Sequence, residues 1–297
     1  MSPPPMEQLG RLRLTRHPTK GIACVLIAWI FFTIAIALSR PASESSSVPT
    51  VLFFQNLISL IVTIPWLLRK GKKSFYIPKF GLMLVRALAG YLSFAFAFLA
   101  IQRTSLVNVV LLNNSAPLFI PLIIWFWKRK KLPRSLWMGI LLGFIGIAII
   151  LKPNHEIVKL GGFFGLAAGI CLAFSMIAQR RLVKTEPIYT ILFYYFLIST
   201  LLSLPFSIDA WKTLNSETLL QLLGIGLCFA TGQHLFFRAS RYEKPSFLAP
   251  FNYSAVVYGA IIQWLIWSNI PSWSDIIGVI IVCVGGIITI AYNKRAV

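Results

Sequence analysis

Residues 113–125 read NNSAPLFIPLIIW, and residues 252–264 read NYSAVVYGAIIQW. An Asn, a Ser-Ala pair and a Trp recur at an offset of 139 residues, and the same offset carries Gly139 and Gly146 onto Gly278 and Gly285. Upstream the offset becomes 140: Gly21, Ala28, Ile30 and Arg40 fall on Gly161, Ala168, Ile170 and Arg180. Leu52, Phe53, Leu57, Ile58, Ser59 and Pro65 likewise fall on Leu192, Phe193, Leu197, Ile198, Ser199 and Pro205. Apolar stretches share Leu and Ile through composition alone. Shared Asn, Trp, Pro and Gly at one offset need a common pattern, so the chain reads as one unit written twice. The agreement is thinnest between the third and eighth segments, where only Phe98 with Phe237 and Ala100 with Ala239 coincide.

Composition says what the unit is made of. Apolar types supply 57% of the residues and charged types 12%, against about 25% charged in a soluble domain. A helix crossing a bilayer needs about 20 predominantly apolar residues. Ten segments qualify: 21–39, 49–68, 80–101, 105–127, 135–151, 161–179, 187–207, 218–237, 246–268 and 274–292. The predicted class is an all-α membrane protein with ten transmembrane helices. Residues 1–20 form a basic tail, 21–153 a first five-helix repeat and 160–293 a second. The first segment mimics a signal peptide, with Arg11, Arg13 and Arg16 ahead of it and Ala37-Leu38-Ser39 near its end. Its repeat partner at 161–179 marks it as a retained span instead.

The charge is one-sided: 28 Lys and Arg against 8 Asp and Glu, a net +20. In a soluble chain this balance points to nucleic acid or an anionic surface; in an apolar one it points to topology. With the N-terminus cytoplasmic, inside loops hold 22 of the basic residues and outside loops five, namely Arg40, Arg103, Lys152, Lys159 and Lys212. Arg86 lies within a span. The positive-inside rule then puts both termini in the cytoplasm of a multi-pass inner-membrane protein, with the lipid bilayer and no nucleic acid as partner. Five is odd, so the second repeat enters the membrane inverted. Inverted repeats recur in secondary transporters, whose sites lie between the repeats near the midplane.

The eight acids, Glu7, Glu44, Glu156, Glu186, Asp209, Glu217, Glu243 and Asp275, all fall outside the spans. The buried carboxylate that many proton-coupled carriers use is therefore not expected, nor is the acid pair of an intramembrane protease. Cys24, Cys171, Cys228 and Cys283 lie in four segments without metal-ligand spacing. No cofactor, metal site or enzymatic activity is expected.

The polar residues inside spans are the candidate site. Arg86 reads either as an anchor for a substrate carboxylate or phosphate, or as a side chain snorkelling to the headgroups. His234 reads as a packing histidine, a substrate contact or a proton site. Asn113 and Asn114 in the fourth helix, and Asn252, Tyr253 and Ser254 in the ninth, sit at matching places and either line a cavity or bond between helices. Gln55 and Asn56 are matched by Tyr195 and Phe196, which gives a cavity one polar and one aromatic wall. Gln233 and Gln263 read mainly as packing groups. Pro65 and Pro205 are candidate gating kinks. Gly139, Gly143, Gly146, Gly278, Gly285 and Gly286 permit close helix packing or a homodimer face.

Three stretches carry a resemblance: VRALAGYLSFAFAFLAIQRTSLVNVVLLNNSAPLFIPLI from Val85, GILLGFIGIAIILKP from Gly139, and RASRYEKPSFLAPFNYSAVVYGAIIQWLI from Arg238. Their order and spacing resemble the EamA family of the drug/metabolite transporter superfamily, from Gly21 to Tyr292. The segment Ala249-Pro250-Phe251-Asn252-Tyr253 is similar to that of carriers described as S-adenosylmethionine uptake transporters. The resemblance implies a carrier of a small organic solute such as S-adenosylmethionine or a similar nucleoside or zwitterion. Alternatives are an exporter of amino acids or related metabolites, and a non-transporting scaffold or flippase subunit. The family often carries a Glu just after the fourth and ninth helices; here Lys130-Lys131 and Ser268-Asn269 stand there.

The topology has a direct check. A Cys placed at Ser74 should react with an impermeant thiol reagent only from the cytoplasmic side, and labelling from outside would end the inverted arrangement as drawn.

Overall fold

In a bilayer core no water is available to backbone N–H and C=O groups, so apolar spans satisfy them within helices. The computed structural model describes residues 17–69, 78–128, 156–183, 185–208, 214–243, 248–268 and 273–296, with parts of 137–149, and among these it contains helices and no strands. The elements are α1 (Pro18–Ser45), α2 (Val48–Leu68), α3 (Phe80–Ile101), α4 (Leu106–Asn113), α5 (Ala116–Lys128), α6 (Glu156–Leu182), α7 (Ile188–Ser207), α8 (Ser216–Tyr242), a 3-10 turn (Ala249–Tyr253), α9 (Ser254–Trp267) and α10 (Trp273–Ala296). Seven spans among the described residues are long and apolar enough to cross a membrane. The basic tail through Arg16, the loop at 70–77, the basic run at 129–134 and most of the fifth predicted helix lie outside the described residues.

Local chemistry sets several boundaries. Ser47, Ser105 and Asn215 cap α2, α4 and α8 by accepting from the N–H groups of Thr50, Asn108 and Thr218, which satisfies donors that have no partner within the helix. Helix α1 runs past its expected end near residue 39, through Pro41 to Ser45. Arg40 supports the extension by pairing with Glu44 at 3.6 Å and lying over the Trp267 ring at 5.3 Å.

Two segments expected to be continuous are broken. The fourth, 105–127, stops at Asn113 and restarts at Ala116. The side chains of Asn114 and Ser115 bond back to the carbonyls of Val110 and Leu112 at 2.9 and 2.5 Å, a local alternative to the helical ladder. Pro117, just beyond, has no N–H to continue it. The ninth, 246–268, begins as the 3-10 turn around Pro250 and becomes α-helical only at Ser254. It ends on Ser268, whose φ of 50° is left-handed.

Packing between the halves is reciprocal. Helix α1 lies along α8, and α6 lies along α3; α2 packs on α7; α1 meets α9, and α6 meets α4; α4 and α9 meet each other. The ends sort onto two faces. The start of α1 touches the end of α8, where the His17 N–H donates to the Tyr242 carbonyl at 3.4 Å. The end of α2 touches the start of α7 through the Trp66–Tyr189 ring pair. On the opposite face the end of α3 meets the start of α6, with Arg103 over Phe164. Large apolar side chains point outward, Phe126 at 83% and Phe206 at 71% exposed, while Gln55, Asn56 and Arg86 are buried. Gly143 packs on Leu118 and Gly278 and Gly285 are buried, whereas Gly139 lies outside the described residues.

Gly169 on α6 sits where an added Cβ would strike the Leu112 carbonyl, beside the break in the fourth segment. Gly81 has nothing within 4 Å. Gly169→Ala should therefore cost about 1–3 kcal/mol through overpacking, seen as a lower Tm in detergent, and Gly81→Ala should leave Tm unchanged. Equal Tm values for the two variants would contradict this packing.

Candidate substrate-binding region

The end of α2, the start of α7 and the last turns of α8 surround a cavity of about 680 Å³ lined by Trp66, Tyr189, Thr231, His234, Arg238 and Tyr242 among others. It opens on the face where α1 begins. Trp66 and Tyr189 stack with ring planes 3° apart and centroids at 5.9 Å. The His234 ring lies 6.0 Å from that of Tyr189. Its Nδ1 is 2.7 Å from the Ala230 carbonyl oxygen; a carbonyl only accepts, so Nδ1 carries the proton. The Nε2 atom is buried without a protein partner. Arg238 donates from Nε to the Tyr242 hydroxyl at 3.3 Å.

Deeper in the bundle lies a layer of buried polar groups. Helices α2 and α7 run antiparallel, and counting inward from the Trp66–Tyr189 contact brings Gln55 and Asn56 level with Ser199 and Thr200. Both amide atoms of Gln55, the Asn56 Oδ1 and the Ser199 Oγ are buried and have no protein hydrogen-bond partner. The Asn56 Nδ2 donates to the Leu52 carbonyl at 2.7 Å. Each unsatisfied buried group costs about 1–3 kcal/mol.

Arg86 is not a snorkelling side chain. It is 4% exposed, its Nη1 donates to the Ser175 hydroxyl at 2.6 Å, and that hydroxyl donates to the Arg86 carbonyl at 3.1 Å. The guanidinium carbon lies 4.4 Å from the centroid of the Tyr195 ring. An added Cβ at Gly90, one turn along α3, would meet both the Arg86 Nη1 and the Tyr195 ring. Glycine there makes the space that admits the cation. No carboxylate pairs with Arg86 among the described residues, and its Nε has no partner. Tyr195 and Phe196 continue into an aromatic wall through Phe229, 6.4 and 6.0 Å away, and Phe94, 4.6 Å from Phe229.

The matched amides sit at the two helix breaks and are engaged. Asn113 accepts from Ser93 at 3.1 Å. Asn252 accepts from the Trp29 indole at 2.9 Å. Asn114 bonds its own helix, while the Tyr253 and Ser254 hydroxyls have no protein partner. Gln263 accepts from the Val107 N–H at 3.2 Å, a packing role, and Gln233 is buried. Pro65 and Pro205 are exposed near the C-terminal ends of α2 and α7, which the antiparallel packing puts at opposite faces. The sequence reading passed over Ser175, Gly90, Trp66, Tyr189 and Arg238. A small residue one turn from an in-span arginine was the available signal for Gly90; the others came together only through packing between the halves.

The chain belongs to the EamA-like transporter family, which matches residues 19–152 and again residues 159–291. Among its relatives is the pseudopaline exporter CntI of Pseudomonas aeruginosa, 26% identical over 89% of this chain and 93% of the exporter. The riboflavin transporter of Vibrio cholerae is 25% identical over 88% and 89% of the two chains. The S-adenosylmethionine uptake transporter of Rickettsia bellii is 23% identical over 83% and 84%. A solved crystal structure superposes with a TM-score of 0.62 at 18% identity, covering 92% of this chain and 99% of its own, so the fold is shared.

Proposed function

We propose that the chain is an inner-membrane secondary carrier that moves one small organic metabolite by alternating access between two inverted five-helix halves, with both termini cytoplasmic. The observation that carries this reading is the layer of unpartnered polar atoms on Gln55, Asn56 and Ser199, placed between the halves and below the vestibule. Buried amides are normally bonded; a layer left open at mid-depth suits a solute that supplies the missing partners. The reciprocal packing of α1 on α8 and α6 on α3 supports an in-plane two-fold relation. The excess of basic residues in the loops taken as cytoplasmic supports the orientation.

The solute is a metabolite with a ring and several polar edges. Tyr195, Phe196, Phe229 and Phe94 supply the aromatic surface, and the amides supply donors and acceptors. S-adenosylmethionine and riboflavin, which the names of two relatives specify, have this character. The name of a third relative specifies export, and export of an amino-acid-like metabolite is the second reading, using the same site in the opposite direction. With no acid expected in the spans, transport runs as exchange or facilitated flow unless His234 carries a proton.

The test is counterflow in proteoliposomes with labelled S-adenosylmethionine, riboflavin and a panel of amino acids. Gln55→Leu and Asn56→Leu should each weaken apparent affinity for the transported compound about 2- to 13-fold, the equivalent of one neutral hydrogen bond, without lowering Tm. Unchanged transport with a lower Tm in both variants would assign these amides to packing and move the site elsewhere.

A further inference from the structure

We infer that the transported solute carries a carboxylate or phosphate and that Arg86 is the group that selects for it. The inference rests on the carrier reading and names its substrate class.

A guanidinium cannot give up its proton inside a protein, so Arg86 is a permanent cation buried in the first third of α3. Buried charges are paired or they are costly. Among the described residues, the groups that face Arg86 come from three helices. Ser175 on α6 offers a hydroxyl, Tyr195 on α7 offers a ring face and its own neutral hydroxyl, and Gly90 on α3 offers room. These are neutral. A hydroxyl and a cation–π contact compensate part of a full charge, and they orient the guanidinium without neutralising it. The Nε edge of Arg86 is left with no protein partner. An Nε–Nη edge is the fork that accepts a carboxylate or phosphate through two parallel bonds.

The surroundings restrict the rest of the solute. An acid group on Arg86 would lie beside the Tyr195 ring, and Phe229 extends the aromatic surface from there. A planar group attached to the acid therefore has a wall to lie against. A positively charged solute without an acid would meet an uncompensated cation and be rejected. A zwitterion keeps its acid and is accepted. Charge also enters the transport cycle: the acid-loaded site is neutral as the bundle closes over it, whereas closure over a solute lacking an acid leaves a bare cation inside.

The test uses the full chain in proteoliposomes exposed to an isotope-labelled bacterial metabolite extract, with retained solutes identified by mass spectrometry against protein-free vesicles. Solutes retained by the wild-type protein should bear a carboxylate or phosphate, and amidated or esterified forms of each should compete at least about tenfold more weakly. Arg86→Gln should lower retention of those solutes roughly 10- to 150-fold, the loss of a charge-assisted hydrogen bond, and Arg86→Lys should recover part of it. Retention of neutral or cationic solutes lacking an acid would overturn the inference while leaving the carrier reading intact. So would undiminished retention by Arg86→Gln. Retention of nothing above protein-free vesicles would overturn the carrier reading and this inference with it. The charge of the retained solutes is read on the wild-type protein, so the result does not depend on how the variants fold.

Discussion

Lipid tails offer no hydrogen bonds, and from that constraint the architecture follows. The described backbone is helical because helices satisfy their own N–H and C=O groups. Serine and threonine side chains inside the bundle fold back on the preceding turn, as Ser59 does on the Gln55 carbonyl and Thr200 on the Phe196 carbonyl. The large aromatics pack on one another around Phe229. Once these needs are met, some buried polar groups among the described residues still lack a protein partner. Gln55, Asn56, Ser199 and the Nε of Arg86 are among them. In a protein that only had to sit in a bilayer, leucine at these positions would be better. Keeping them polar costs stability, and solute binding gives a reason for the cost.

The two halves repeat in sequence but are not interchangeable in chemistry. Asn113 and Asn252 are matched, yet Asn113 bonds Ser93 within its own half, while Asn252 bonds Trp29 of the other. The residue matched to Trp29 is Gly169, and it lets α6 close onto the break at Asn114 and Ser115. A bulky indole props one break and a glycine admits close contact at the other. The vestibule shows the same asymmetry. The residues matched to Trp66, Tyr189, His234 and Arg238 are Phe206, Pro49, Ala95 and Leu99, so polar groups line the vestibule and apolar ones take the matched places. The two faces of the bundle thus present different residues at matched positions.

The helical class, most of the spans and the polar residues of the interior were legible in the sequence, because spans of apolar residues and isolated polar ones obey bilayer physics directly. The offset matches Gln55 and Asn56 to Tyr195 and Phe196, but it does not give the level at which they meet, since antiparallel packing of α2 on α7 brings the amides opposite Ser199 and Thr200. The breaks in the fourth and ninth segments were not read, although Pro117 and Pro250 stand at them; an apolar window averages over a two-residue turn. Arg86 was ambiguous because its distance from the helix end permits snorkelling equally well. Only the approach of Ser175 and Tyr195 from the other half decides where the guanidinium goes. The engagement of Asn113 and Asn252 was likewise a matter of neighbours that no one-dimensional pattern specifies.

The central claim is that the buried polar layer is reached from each side of the membrane in turn. A single cysteine replacing Asn56, in a chain whose native thiols at Cys24, Cys171, Cys228 and Cys283 have been removed, reads this out through its rate of modification by an impermeant maleimide. The account predicts modification from both faces in oppositely oriented vesicles, slowed from each face by the transported solute. A thiol that reacts from neither face, or from one face only whatever solute is present, would contradict it.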